Sequence, residues 1–191
     1  MPEDRRYLFK LLSVCLSYPD EALYGAIGEI EADLCRLTGP PWDMLQSFLA
    51  ILKSQPLIVA QERYTQAFDL NPDTSLNFTY HLMGDGEDRG RALAELKEIY
   101  HRAGFEICVN ELPDFLPLIL EFLAQASAEK VPAAVRQCFR PVSTVAQRLK
   151  ETGSYYAAVF EALHSLTPLH EAPTDDPATM ARCERSQGFS T

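Results

Sequence analysis

Two Glu-x-x-His pairs, Glu98/His101 and Glu161/His164, come closest in type and spacing to a reactive centre. Two such pairs, joined by a further glutamate from each of two other helices, build the carboxylate-bridged di-iron site of a four-helix bundle. Those ligands must point inward. At about 100° per residue, Leu93, Leu96, Tyr100 and Ala103 define one face of the first helix, and Glu98 lies nearly opposite. In the second helix Tyr155, Val159, Leu163 and Leu166 define the core face, and Glu161 again lies nearly opposite. Both glutamates are expected in solvent, so no metal is expected. Gly84-Asp85-Gly86 with Gly90 does not match G-x-G-x-x-G and lacks the G-K-[ST] of a phosphate loop. There is no G-x-S-x-G elbow and no H-E-x-x-H, and His81 and His170 have no metal spacing. The cysteines Cys15, Cys35, Cys108, Cys138 and Cys183 are scattered without a C-x-x-C, which reads as reduced, inert thiols. No catalytic residue and no cofactor follow from these patterns.

What the chain does concentrate is acid among aromatics. Between Gln61 and Glu121 twelve acidic residues stand against five basic ones, an excess of seven negative charges out of a formal net of -10. Tyr64, Phe68, Phe78, Tyr80, Tyr100, Phe105, Phe115 and Phe122 are interleaved with them. A helical groove with apolar walls and an acidic rim suits an amphipathic, basic peptide. The apolar anchors would supply most of the affinity. Exposed rim pairs add only about 0.2–1 kcal/mol each, but they steer encounter and reject acidic partners. The whole-chain balance, 17 Lys+Arg against 27 Asp+Glu, argues against nucleic acid, which needs a basic face.

The elements that must carry these residues are helical almost throughout. The apolar period predicts helices at about 4–18, 20–37, 41–54, 56–69, 89–103, 114–127, 131–150 and 154–166. Tyr18-Pro19-Asp20, Gly39-Pro40-Pro41, Asn71-Pro72-Asp73 and Gly153-Ser154 separate them, and Pro141 should kink or split its stretch. Leu76 to Met83 alternates like a strand, but no partner strand is evident, and a short helix is expected. Asp114 is expected to cap the helix that follows it, with Pro117 in the first turn, where no intrahelical N–H bond is lost. Arg5-Arg6-Tyr7-Leu8-Phe9-Lys10 looks like a twin-arginine export pattern. The apolar stretch behind it is short, no A-x-A site follows, and Leu8, Leu11, Leu12, Cys15 and Leu16 fit the inner face of an amphipathic helix. No segment approaches the roughly 18 apolar residues of a membrane span. The expectation is an all-α, single-domain helical bundle over residues 1–167, located in the cytoplasm. Residues 168–191 are polar and aperiodic, which predicts a disordered tail.

Three blocks carry a resemblance. Glu62-Arg63-Tyr64-Thr65-Gln66-Ala67-Phe68-Asp69 is the first, and Leu76-Asn77-Phe78-Thr79-Tyr80-His81-Leu82-Met83-Gly84-Asp85 with Arg89-Gly90 the second. The third is Glu111-Leu112-Pro113-Asp114-Phe115-Leu116-Pro117-Leu118 with Glu121-Phe122. Together they resemble the nitrate reductase assembly chaperones, the NarJ group of the TorD-like family. The resemblance is specific between about residues 60 and 125. It implies an all-helical, cytoplasmic protein that binds the catalytic (alpha) subunit of a molybdoenzyme, notably its basic, signal-like N-terminal segment. It implies, too, that the chaperone holds that subunit ready for molybdenum cofactor insertion and delays its docking to the membrane. Carried over by motif, the peptide-binding residues would be Tyr64, Phe68, Asp69, Tyr80, His81, Asp85, Glu111, Pro113, Asp114, Pro117 and Glu121. The five acids would meet arginines, and Tyr64, Phe68 and Tyr80 would wall the groove. One departure stands out: related chaperones place histidine where Phe115 stands, so no imidazole role is expected there. The alternatives are a related chaperone serving a chlorate, selenate or hydrocarbon-oxidising enzyme, and the di-iron enzyme described above.

Overall fold

The computed structural model describes residues 3–108, 110–125 and 131–166, and among these the chain is all-helical. The helices are α1 (Glu3–Cys15), α2 (Glu21–Leu34), α3 (Pro40–Lys53), α4 (Leu57–Tyr64), α5 (Phe78–Met83) and α6 (Glu87–Arg102). They are followed by α7 (Leu116–Gln125), α8 (Ala133–Gln137), α9 (Val142–Glu151) and α10 (Ala157–Ser165). A π-helical turn, Thr65–Asp69, continues α4, and a 3-10 turn covers Pro72–Thr74. The expected tail and the boundary before it lie outside the described residues.

The apolar stripe read in the first helix forms one side of the core: Leu8, Leu11, Leu12, Cys15 and Leu16 are all buried. α1 lies along α7, whose Leu116 to Leu120, Phe122 and Leu123 are buried, while α10 packs between α3 and α9. Arg6 of α1 donates from Nε to the carbonyl of Ala124 (2.9 Å) and from Nη2 to that of Gln125 (2.8 Å). Arg5 reaches the carbonyl of Leu166 at 3.3 Å. The two arginines that look like an export signal thus cover the carbonyl ends of α7 and α10, where cations are favoured.

Local signals explain the boundaries. The Asp20 carboxylate accepts from the Leu23 N–H at 2.8 Å and starts α2. Pro141 splits its stretch, as its ring and missing N–H require, with α8 ending at Gln137 and α9 beginning at Val142. Gly84 ends α5 with φ +62, a backbone that L side chains rarely adopt. The alternating stretch before it is a short helix preceded by one isolated antiparallel bridge, Asn77 to Phe115.

That bridge changes the part played by Asp114. Its helix starts at Leu116, with Pro117 second, and the Asp114 side chain does not cap it. Instead its Oδ2 accepts from the backbone N–H of Thr79 (3.1 Å), in the first turn of α5. The reason is the pairing: Phe78 N–H donates to Asp114 O (3.1 Å) and Leu116 N–H to Leu76 O (2.8 Å), which sets residue 114 against the start of α5.

Both glutamates of the Glu-x-x-His pairs lie on the outer helix faces. Glu98 accepts from Arg102 (2.8 Å), Glu161 pairs with Lys150, and His101 and His164 are exposed. Among the described residues no group of three or more His, Cys, Asp or Glu is placed to hold a metal ion, and no helix is long and apolar enough to cross a membrane.

Candidate functional site

Four short segments meet at a cavity of about 450 Å³. The turn after α1 contributes Ser17 and Tyr18, and α4 with its π-helical continuation contributes Tyr64, Phe68 and Asp69. Ser75, Leu76 and Asn77 precede α5, and the turn before α7 gives Glu111 and Phe115. The turn after α1 is tied down by Gln61, whose amide donates to Pro19 O (2.9 Å), and by the Tyr64 hydroxyl, which donates to Leu16 O (3.0 Å). Tyr18 stands edge-on to Tyr64 with ring centres 5.3 Å apart, half of it in solvent. Tyr64 in turn packs edge-on to Phe68 at 5.0 Å, and Phe68 reaches Tyr156 and Phe160 in the core. The floor of the cavity is therefore an outer layer of the aromatic core.

The mouth is acidic. Asp69 and Glu111 are exposed, and among the described residues neither side chain takes part in a hydrogen bond or ion pair. Their fields converge on the Tyr64 hydroxyl, which burial, then Asp69, then Glu111 hold well above the ordinary tyrosine range. Aromatic walls below and two uncompensated carboxylates above can receive a cationic, partly apolar side chain.

The other residues named from sequence lie around this cavity or away from it. Asp114 is fully buried beside it. Besides Thr79 N–H, its carboxylate accepts from Thr79 Oγ1 (2.5 Å) and Asn77 Nδ2 (3.2 Å), and it lies 3.6 Å from the Arg89 guanidinium. Arg89 also bonds Asp85, donates to Thr79 Oγ1 (3.3 Å) and lies 5.8 Å from the centre of the Tyr80 ring. Asp85 and Tyr80 therefore belong to the Arg89 cluster. The His81 Nε2 is 2.8 Å from Ser75 O, and Pro113 O accepts from the Tyr100 hydroxyl (2.8 Å). Pro117 is buried, its carbonyl accepting from Ser13 Oγ at 2.8 Å. Glu121 sits on the seam between α1 and α7, paired with Lys10 at 2.7 Å. Of the eleven, Tyr64, Phe68, Asp69 and Glu111 share the cavity.

Sequence reasoning passed over Ser17, Tyr18, Ser75, Leu76, Asn77 and Phe115 as lining residues. In the sequence Tyr18 reads only as punctuation between helices. Leu76 and Asn77 lie in the second of the three resembling blocks, where no local feature marks them as lining residues. A second, smaller recess of about 310 Å³ opens on the other side of the π-helical turn, between Arg63, Gln66 and the Thr152–Tyr155 turn.

Comparison with known proteins agrees with this architecture. The family model described as "Nitrate reductase delta subunit" matches residues 31–162. The chain is 33% identical to the nitrate reductase molybdenum cofactor assembly chaperone NarJ of Escherichia coli strain K12, over 82% of this chain and 67% of that one. It is 34% identical to a NarJ of Bacillus subtilis strain 168, named as a probable chaperone of the same kind, over 85% of this chain and 88% of that one. A crystal structure from Archaeoglobus fulgidus, provisionally named as a redox enzyme maturation protein, superposes with a TM-score of 0.62 at 26% identity, covering 85% of this chain and 92% of that one. A family match over more than half the chain, supported by these relatives, establishes that the protein belongs to the nitrate reductase delta subunit family.

Proposed function

We propose that this protein is a dedicated assembly chaperone, not an enzyme. Its client is the catalytic subunit of a respiratory nitrate reductase, bound in the cytoplasm through a basic, amphipathic N-terminal segment before the molybdenum cofactor is inserted and the enzyme docks at the membrane. The observation that carries this reading is the aromatic cavity whose mouth holds Asp69 and Glu111 without a cationic partner among the described residues. A basic side chain entering there would lay its stem against Tyr18, Tyr64 and Phe68 and bring its charge between the two acids. Relatives named for nitrate reductase assembly favour that client over other molybdoenzymes. The molybdenum cofactor belongs to the client, and the chaperone's own residues supply binding and shielding without making or breaking a bond.

Isothermal titration of the full chain with the N-terminal peptide of that catalytic subunit tests the reading. Binding that weakens as salt screens the acidic mouth is expected. Absence of heat with both the peptide and the whole apo-subunit overturns it.

A further inference from the structure

We infer that Asp114 is a positioning residue for the cavity: it holds the wall formed by Asn77, Phe115 and Glu111 and does not itself touch the client. This rests on the client-binding reading above. Asp114 is 0% exposed, and both carboxylate oxygens are engaged. Oδ1 accepts from Asn77 Nδ2; Oδ2 accepts from Thr79 N–H and Oγ1 and faces Arg89. A buried carboxylate without such partners is costly, so the arrangement that satisfies it is strongly specified. Two residues it controls line the cavity directly, Asn77 through its amide and Phe115 through the chain. Glu111 directly precedes the turn Leu112–Phe115, which is held at three points. Phe115 N–H donates to Leu112 O (3.0 Å), Tyr100 fixes the Pro113 carbonyl, and Asp114 O receives Phe78 N–H. Arg89 completes the device, carrying Asp85 as an outer brace.

Two measurements on the full chain test this. In hydrogen exchange, Asp114→Asn should speed the Phe78, Thr79, Phe115 and Leu116 amides by about tenfold, with α9 unaffected. Unchanged exchange there overturns the inference whatever any peptide does. In calorimetry with the client peptide, Glu111→Gln should weaken binding by up to about fivefold. Asp114→Asn should weaken it at least as much, and the double variant should bind no more weakly than Asp114→Asn alone. Losses that multiply, to about twenty-five-fold, mean that Asp114 contacts the client independently and overturn it too. If Asp114→Asn does not fold, Thr79→Val replaces it in both measurements, because that side chain is buried and lines neither cavity. The same exchange rise and the same non-additivity with Glu111→Gln are expected, and their absence counts against the inference. A wild-type chain that ignores the peptide defeats the client reading alone, since exchange still reports on the wall.

Discussion

Two acidic regions lie side by side in this molecule and are built in opposite ways. At the junction of α5, α6 and the turn before α7, Asp114 and Asp85 share Arg89, and every oxygen of the buried carboxylate has a partner. At the cavity mouth, Asp69 and Glu111 are exposed and bond nothing among the described residues. Equal charge therefore serves different ends. Where the chain supplies its own cation, the acid organises backbone. Where it does not, the acid stays available to a cation from outside.

Substitutions should separate the regions, beginning with the largest effect. Asp114→Ala leaves the Thr79 N–H and hydroxyl and the Asn77 amide without their acceptor and takes from Arg89 the buried one of its two carboxylates, so unfolding free energy should drop by about 3–5 kcal/mol, measured by urea denaturation; a loss below 1 kcal/mol would erase the contrast. Alkaline titration probes the core beneath the cavity. Burial pushes the Cys15 and Cys138 thiols from their ordinary 9.0 up to about 12, and Tyr64, Tyr100 and Tyr156 are raised as well. The unfolded chain releases these protons first, so stability is intact below pH 9 and declines toward pH 12. The slope should be about 1.4 kcal/mol per pH unit for each thiol, visible as a thermal midpoint that falls with pH. Tyr64→Phe removes the hydroxyl bonded to Leu16 O and should cost about 1 kcal/mol, with client affinity largely retained because the ring remains. Smallest of all, Asp69→Asn and Glu111→Gln should each change stability by no more than about 0.5 kcal/mol while flattening the salt dependence of client binding. A large stability loss from either would place the mouth in the same class as the junction.

Much of this was legible in the sequence, for identifiable reasons. Helix period and punctuation place α1 to α3 and α6 within a few residues, because each buries a continuous apolar stripe and ends at Pro, Gly or Asp. The outward direction of Glu98 and Glu161 follows from the same geometry. What periodicity cannot carry is partnership at a distance. Asp114 accepts from Thr79 N–H, in the first turn of α5, across 35 positions, and Glu121 meets Lys10 across 111 positions. Nothing local marks either bond. Tyr18 illustrates the opposite limit: as the residue before a proline it reads as a helix stop, yet its ring lines the cavity, edge-on to Tyr64.

The π-helical turn has a consequence for how this surface can vary. Leu70 N–H reaches back five residues to Thr65 O, so the segment accommodates one residue more than an α-helical turn would. Tyr64 and Asp69, five apart, look into one cavity, whereas five α-helical steps would set them about 140° apart. A substitution that returned the turn to α-helical hydrogen bonding at unchanged length would therefore leave the composition almost intact and still swing the carboxylate out of line with its ring. At this spot the hydrogen-bond register of the backbone, more than chemical similarity, decides whether a substituted descendant keeps its grip.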